Sequence, residues 1–327
     1  MGADLGERLR NGAAARSVIL SSFGDGSANG RVSRWNALLF VMLRRLVRRW
    51  LRPRAASAGP VGSPLKMSPR QRAPYVSAHP EFWSLDHAFD ADFLAAGADA
   101  DRRAALATEV HPDLWALRVL NPAWCEGLRA ELALHAAWAR ASGVVFQPPN
   151  SMNRYGLVLD STTTDDDDKR GDAQLLPLAP LREALGPLAA RLFPELGPLD
   201  SHHGFVVHYA MDGDRSLGFH ADDAEVTLNL CLGGGFEGGD LWFEGRRCAQ
   251  HHDHPAHPGE PFRWRHQPGV ALLHSGGHRH GAHPITRGER QNLILWMRAG
   301  ALRAVEDPVL GLGDACPAWC GARDGDA

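Results

Sequence analysis

From Ser201 onward the apolar residues of this chain recur every second position, and that period sets what the second half can fold into. Phe205, Val207 and Tyr209 alternate with Val206 and His208. Val226, Leu228, Leu230 and Leu232 alternate with Thr227, Asn229 and Cys231. Further short runs, "DLWFEG", "FRWRHQ", "VALLHS" and "QNLILWMR", are separated by Gly and Pro clusters. Many short strands with such turns predict a mostly β fold, rolled into a sandwich or barrel.

Helices precede the strands. "NPAWCEGLRAELALHAAWAR" predicts one, with Asn121 as N-cap and Pro122 at the first helical position. Its Trp124, Leu128, Leu132 and Trp138 form a core-facing stripe. "APLREALGPLAARLFP" predicts a second, ended by Pro194 and kinked or split by Pro187. Between them the Asp165–Asp168 run reads as a solvated loop rather than a metal site, because adjacent carboxylates repel one another and resist burial. This gives a helical support region over 81–145, a β core over 146–300 and a tail over 301–327, together one catalytic domain over 81–327.

Residues 1–80 differ in kind. They carry 14 Lys and Arg against 3 Asp and Glu, while the rest carries 21 against 35. The arm reads as basic, low in complexity and unfolded. Its apolar run "ALLFVML" is too short to span a bilayer. On a helix over 35–51, Leu39, Leu43, Leu46 and Trp50 share one face, and Arg44 and Arg48 another. One reading is a weak membrane-surface contact or an N-terminal targeting segment. The other is an unfolded arm, or an extension upstream of Met67. The acidic body shows no basic face for nucleic acid. Five scattered cysteines do not make a disulfide framework, which favours an intracellular setting over a secreted one.

The pattern His-x-Asp occurs at His111/Asp113, His220/Asp222 and His251/Asp253. Only the second follows a strand pattern, where positions i and i+2 share a face. His111 lies just before a predicted helix, and His251 in a His/Pro loop. A third ligand on a neighbouring strand has four candidates: His274, His278, His280 and His283. Two histidines and one carboxylate on one face suit a non-haem Fe(II) centre with open coordination positions. Arg290, in strand parity with Asn292 and Trp296, offers a planar fork for a second carboxylate. The histidines at 251–257, and Cys316 with Cys320, are weaker candidates for further metal sites.

The segment "VVHYAMDGDRSLGFHADDAEVTLNLCLGGGFEGGDLWF" is similar to the catalytic domain of collagen lysyl hydroxylases, and "HGAHPITRGERQNLILWM" continues the likeness. The chain thus resembles the 2-oxoglutarate and Fe(II)-dependent dioxygenases, in their prolyl/lysyl hydroxylase branch, from about Leu117 to Cys320. The resemblance implies a double-stranded β-helix, jelly-roll or cupin-like, with helices packed on one side. It implies His220, Asp222 and His280 as iron ligands, the last by its ten-residue spacing to Arg290. Arg290 matches the residue that binds the distal carboxylate of 2-oxoglutarate, and Tyr209 and Asn229 match positions that face the cosubstrate. The implied cofactors are Fe(2+), 2-oxoglutarate and O2, with L-ascorbate as reductant. The implied reaction hydroxylates a C–H bond while 2-oxoglutarate is converted to succinate and CO2. The substrate is read as a protein side chain of prolyl or lysyl type. A small-molecule substrate is the alternative, and a non-catalytic interaction module on the same fold is a third.

Overall fold

The computed structural model describes residues 74–146, 148–162, 175–247, 251 and 254–303. The expected helix at 35–51, the run at 165–168, Asp253 and the Cys316/Cys320 pair lie outside the described residues.

Helices α1 (Ala91–Ala95) and α2 (Ala100–Ala104) precede a hairpin of β1 (Thr108–His111) and β2 (Leu114–Arg118). Then come α3 (Pro122–Ala141), β3 (Gly156–Ser161) and α4 (Ala179–Leu192). The strand-rich half holds β4 (Ser201–Ala210), β5 (Leu217–His220), β6 (Val226–Gly233), β7 (Phe236–Gly238) and β8 (Leu241–Arg246). It continues with β9 (Pro261–Trp264), β10 (Val270–Ser275), β11 (His278–Ala282) and β12 (Ile285–Arg298), and ends in α5 (Gly300–Arg303). Among the described residues the strands form two sheets. The larger runs β1-β2-β10-β6-β12-β4-β3, with β7 against the start of β12, and the smaller runs β5-β11-β8-β9. This is the double-stranded β-helix. None of the described helices is long and apolar enough to cross a membrane.

The period-two pattern assigns the two faces of the large sheet. Leu228, Leu230 and Leu232 of β6, with Leu293 and Leu295 of β12, join Trp124, Leu128 and Leu132 of α3 in the core under the helices. Phe205, Val207 and Tyr209 of β4 and Ile294 and Trp296 of β12 face the interior between the sheets, where they meet Leu241 and Phe243 of β8. The helices therefore cover the outer face of one sheet, and the interior stays available for a site.

Local chemistry explains the helix ends. Asn121 Oδ1 accepts from the Trp124 amide at 2.7 Å, capping α3 as its sequence predicts. For α4 the cap comes from another element, the buried Asp160 of β3, which accepts from the Leu178 amide at 2.7 Å. Pro187 does not split α4, which runs unbroken through it. Glu183, whose carbonyl loses its donor to that proline, is exposed to water.

The region 81–145 is not purely helical, because β1 and β2 fall within it and extend the large sheet. His111-Pro-Asp113 is the turn of that hairpin, with Asp113 at φ 62°, rather than the approach to a helix. The turn between β11 and β12 is short. Only His283 and Pro284 separate β11 from β12. Gly288 lies within β12 at φ 71°, where the strand turns from β7 toward β4 and β6. A Cβ there would collide with the Gly235 carbonyl.

Glu131 pins the segment before α1 onto α3. Its fully buried carboxylate accepts from Tyr75 at 2.6 Å, the His79 amide at 3.2 Å, Trp83 Nε1 at 3.1 Å and the Ser77 hydroxyl. Burial works against its charge, but the donors from Ser77, Tyr75, Trp83 and His79 outweigh it and hold the carboxyl below the usual range. Glu131→Ala strands these donors and is expected to cost about 3 kcal/mol, read as a lower urea midpoint at unchanged slope. The carboxylate's contribution is present above the usual carboxylate pKa and is lost as pH falls through the depressed one, so Glu131→Gln should flatten the acid limb of stability.

Candidate active site

His220 ends β5 directly opposite His280 in the middle of β11. Strand parity turns both inward and sends their neighbours outward, where the Phe219 ring stacks on Trp242 at 4.9 Å and Arg279 lies over Phe219 at 5.1 Å. Asp222 does not share the strand as expected. It lies two residues beyond β5, and its amide donates to the Gly276 carbonyl at 2.9 Å. Gly276 is required there, because a Cβ would run into the Ala224 backbone. Thr227 Oγ1 of β6 donates to Asp222 Oδ2 at 2.7 Å and fixes the carboxylate from below.

The three side chains nonetheless converge. His220 Nε2 lies 3.4 Å from Asp222 Oδ1, and His280 Nε2 lies 3.7 Å from Asp222 Oδ2. One donor atom from each lies within 4.8 Å of the others. The Nδ1 atoms of His220 and His280 sit 2.7 and 2.9 Å from the carbonyls of Gly218 and His278. A carbonyl only accepts, so each Nδ1 carries the proton and each Nε2 keeps its lone pair for the shared point. Burial disfavours the Asp222 charge, but His280 and His220 beside it hold the carboxyl well below its usual value. Burial pushes His280 down to about 3, against the pull of Asp222. Burial lowers His220, but the Asp222 carboxylate beside it raises it overall.

The structure separates the four histidine candidates. His280 joins the triad. Buried His278 packs its ring against Phe243 at 5.2 Å and stays outside the set. His274 donates from Nδ1 to the Ser275 carbonyl at 2.8 Å, with its ring 4.9 Å from His280. His283 faces the Trp242 side at 5.9 Å. Around His251, His254 and His257 no three ligand side chains converge among the described residues.

Across the cavity from the triad lies Arg290. Arg290, Asn292, Ile294 and Trp296 all line it, as the parity of β12 predicts. Arg290 is 1% exposed, and its guanidinium lies 4.6 Å over the Tyr209 ring and donates to the Gly239 carbonyl. Its Nε has no partner, and no carboxylate of the described residues pairs with it. Burial lowers its pKa, but a guanidinium stays charged. A buried cation without a counter-ion is costly unless an anionic ligand completes it. Asn229 also lines the cavity, where its Oδ1 accepts from Asn292 at 2.6 Å.

Sequence reasoning missed the residues that hold Asp222 in place. The signal for Thr227 was present, since it alternates with the outward leucines of β6. The loop 221–225 is tied down from the chain's far end. Asp223 takes Arg298 at 2.8 Å and Arg303 at 2.7 Å, and buried Glu225 accepts from the Ala299 amide at 2.6 Å. The Asp223 carboxylate thus turns away from the triad. Asp223→Ala keeps all three donor atoms and only loosens their loop, so Co(II) affinity is expected to fall by less than about tenfold. A loss equal to that of Asp222→Ala would show that the two aspartates are wrongly assigned.

Two imidazoles and a carboxylate on one side of a point leave the other side open, the donor set suited to non-haem Fe(II). Arg290 across the cavity, without a carboxylate partner among the described residues, fits the far carboxylate of a diacid. On this fold, that combination defines the class of 2-oxoglutarate and iron-dependent oxygenases. Residues 72–198 match the OGFOD2-like domain. The human "2-oxoglutarate and iron-dependent oxygenase domain-containing protein 2" is 36% identical over 265 residues, covering 76% of this chain and 68% of that protein. The chain belongs to this family. The Arabidopsis thaliana "2-oxoglutarate and iron-dependent oxygenase domain-containing protein ICU11" is 39% identical over 240 residues, or 71% of this chain and 58% of that one. Against such curated relatives the chain spans about half to two thirds of their length. A crystal structure of a Pseudomonas putida prolyl-4-hydroxylase aligns at TM-score 0.39 and 19% identity, over 62% of this chain and 97% of that one.

Proposed function

We propose that this protein is an Fe(II)- and 2-oxoglutarate-dependent dioxygenase that hydroxylates a C–H bond of a protein side chain of prolyl or lysyl type. The observation that carries the reading is one converging His-Asp-His set in the same cavity as one buried arginine that has no carboxylate partner among the described residues. When bound, iron and 2-oxoglutarate supply oxygen activation coupled to loss of CO2, redox chemistry that no side chain provides.

The chain's own residues do the rest. His220, Asp222 and His280 would hold the metal, with both imidazoles locked in one tautomer by the Gly218 and His278 carbonyls. Arg290 would take the distal carboxylate of 2-oxoglutarate, backed by Tyr209. Asn292, held by Asn229, lies between that anchor and the metal. Phe205, Val207, Leu241 and Ile294 keep the walls apolar, which limits water and strengthens every charge interaction inside. L-ascorbate is the expected reductant, keeping the metal ferrous between turnovers.

The test is succinate formation from 2-oxoglutarate by purified protein with Fe(II) and O2, with and without L-ascorbate, alongside mass spectrometry of added peptides. Succinate that depends on Fe(II), with one oxygen gained by a peptide, is the expected result. No succinate from a protein that binds Co(II) at the triad would overturn the reading.

A further inference from the structure

We infer that Asn153 is a positioning residue for the cosubstrate. It holds the Tyr209 hydroxyl from behind, so that the hydroxyl gives its own hydrogen to the distal carboxylate, an inference that rests on the place of 2-oxoglutarate proposed above. Neither the triad nor Arg290 uses Asn153. It is buried and lines the cavity from the turn between α3 and β3.

The turn is built by its own first asparagine. Asn150 Oδ1 accepts from the amides of Met152 at 2.8 Å and Asn153 at 2.7 Å, the bond an asparagine makes to its own chain in a tight turn. Farther along, the Asp214 carboxylate accepts from the amides of Arg154 at 2.7 Å and Tyr155 at 3.2 Å, and from Arg154 Nε at 3.1 Å. The Tyr155 carbonyl accepts from the His208 amide at 3.1 Å. This continues the β3–β4 pairing and sets the turn beside the next residue of β4, Tyr209.

These bonds fix which way each side-chain amide faces. A backbone amide only donates, so the Asn150 atom facing the two amides is its oxygen, and its Nδ2 is left to point at Asn153. That nitrogen donates to Asn153 Oδ1 at 3.0 Å. With its oxygen taken, Asn153 turns its own Nδ2 to the Tyr209 hydroxyl, 3.5 Å away in the interior. Arg290 also hydrogen-bonds that hydroxyl, and a guanidinium can only donate. The hydroxyl oxygen therefore accepts from both neighbours, and its hydrogen is given to neither. Burial raises the Tyr209 pKa, so the hydrogen stays in place at neutral pH. The acceptor it fits is an anion in the cavity beside Arg290, where a carboxylate would take one bond from the guanidinium and one from the hydroxyl. At 3.5 Å the link from Asn153 is long for a hydrogen bond, so its expected contribution is modest.

The test is a double-mutant cycle on the full chain loaded with Co(II), read as the 2-oxoglutarate Kd by titration calorimetry and as Co(II) affinity by visible absorption. Asn153→Leu removes the amide at similar volume. Its expected effect is a 2-oxoglutarate Kd about three- to tenfold higher, with Co(II) affinity within about twofold of wild type. In the Tyr209→Phe background the same change is expected to cost less than about twofold, because the group it acts through is gone. A loss that persists in that background, or no loss in either, overturns the inference, since a residue that only supports the turn is indifferent to the hydroxyl. If Asn153→Leu gives no cooperative melt, Asn153→Asp takes its place. It keeps the shape and the acceptor for Asn150 but faces the hydroxyl with a second acceptor, which draws the hydrogen off the ligand. Its loss is expected to exceed about tenfold and to shrink by at least about threefold in the Tyr209→Phe background, and an equal loss in both overturns the inference. A Co(II)-loaded wild-type chain that binds no 2-oxoglutarate overturns the place proposed for the cosubstrate, and this inference with it.

Discussion

Asp222→Ala is expected to abolish turnover and to weaken Fe(II) binding by at least about tenfold, the largest loss of any single change to the triad. Asp222 is the one anionic donor of the three, and the structure holds it from three sides. Its amide is tied to Gly276, its Oδ2 to Thr227, and both oxygens face imidazole Nε2 atoms at 3.4 and 3.7 Å. Removing it leaves two imidazole nitrogens, from rings 4.3 Å apart, and no carboxylate among the described residues lining the site to offset a divalent ion. The change also separates metal binding from folding. A metal that binds only the folded chain stabilises it by about 2.7 kcal/mol at a hundredfold excess over Kd. The wild-type chain should therefore gain thermal stability with Co(II), and Asp222→Ala should gain almost none at the same concentration. Co(II) titration by visible absorption reads the affinity directly. An Asp222→Ala chain that keeps the wild-type Co(II) spectrum would move the carboxylate role elsewhere.

Much of this frame is legible in the sequence, and what is not has identifiable causes. The alternation Val226, Leu228, Leu230, Leu232 gives both faces of β6 because the strand side-chain period is fixed at two. The same rule places Arg290, Asn292 and Trp296 inward on β12. Asn121 and Pro122 start α3 because capping is local. Apart from Pro187, which leaves its helix unbroken, the misses are non-local. β1 has a single apolar residue and β2 is a short continuous apolar run, so neither shows a period of two, and β2 is stabilised by pairing with β10, more than 150 residues away in the chain. Asp222 lies off the strand that parity assigned to it, and the partners that place it, Gly276 and Thr227, belong to other elements. His278 and His280 share strand parity, and spacing alone does not separate them. The register does, by setting His280 against both His220 and Phe243 and His278 against Arg246.

Arg290 is expected to govern 2-oxoglutarate and leave the metal alone. Its guanidinium is 1% exposed, stacked on Tyr209, and without a carboxylate among the described residues. Losing a charge-assisted pair costs about 1.5–3 kcal/mol, which corresponds to roughly tenfold or more in affinity. Arg290→Lys keeps the charge but not the two-pronged fork, so it should raise the 2-oxoglutarate requirement by about that factor at unchanged Co(II) affinity. Arg290→Met separates function from stability. Without ligand the arginine is a buried charge with no counter-ion among the described residues, and replacing such a group by an apolar one of similar length is often neutral or stabilising. The Met chain is therefore expected to melt no lower than wild type in the absence of 2-oxoglutarate, and to lose the upward shift that 2-oxoglutarate gives the Co(II)-loaded wild type. If Arg290→Met instead unfolds the chain, the arginine is a structural tie of β12 to Gly239. If both variants keep the wild-type 2-oxoglutarate response, the carboxylate is held by another cation, and Arg287, exposed and paired with Glu237 at 3.0 Å, is the next to change.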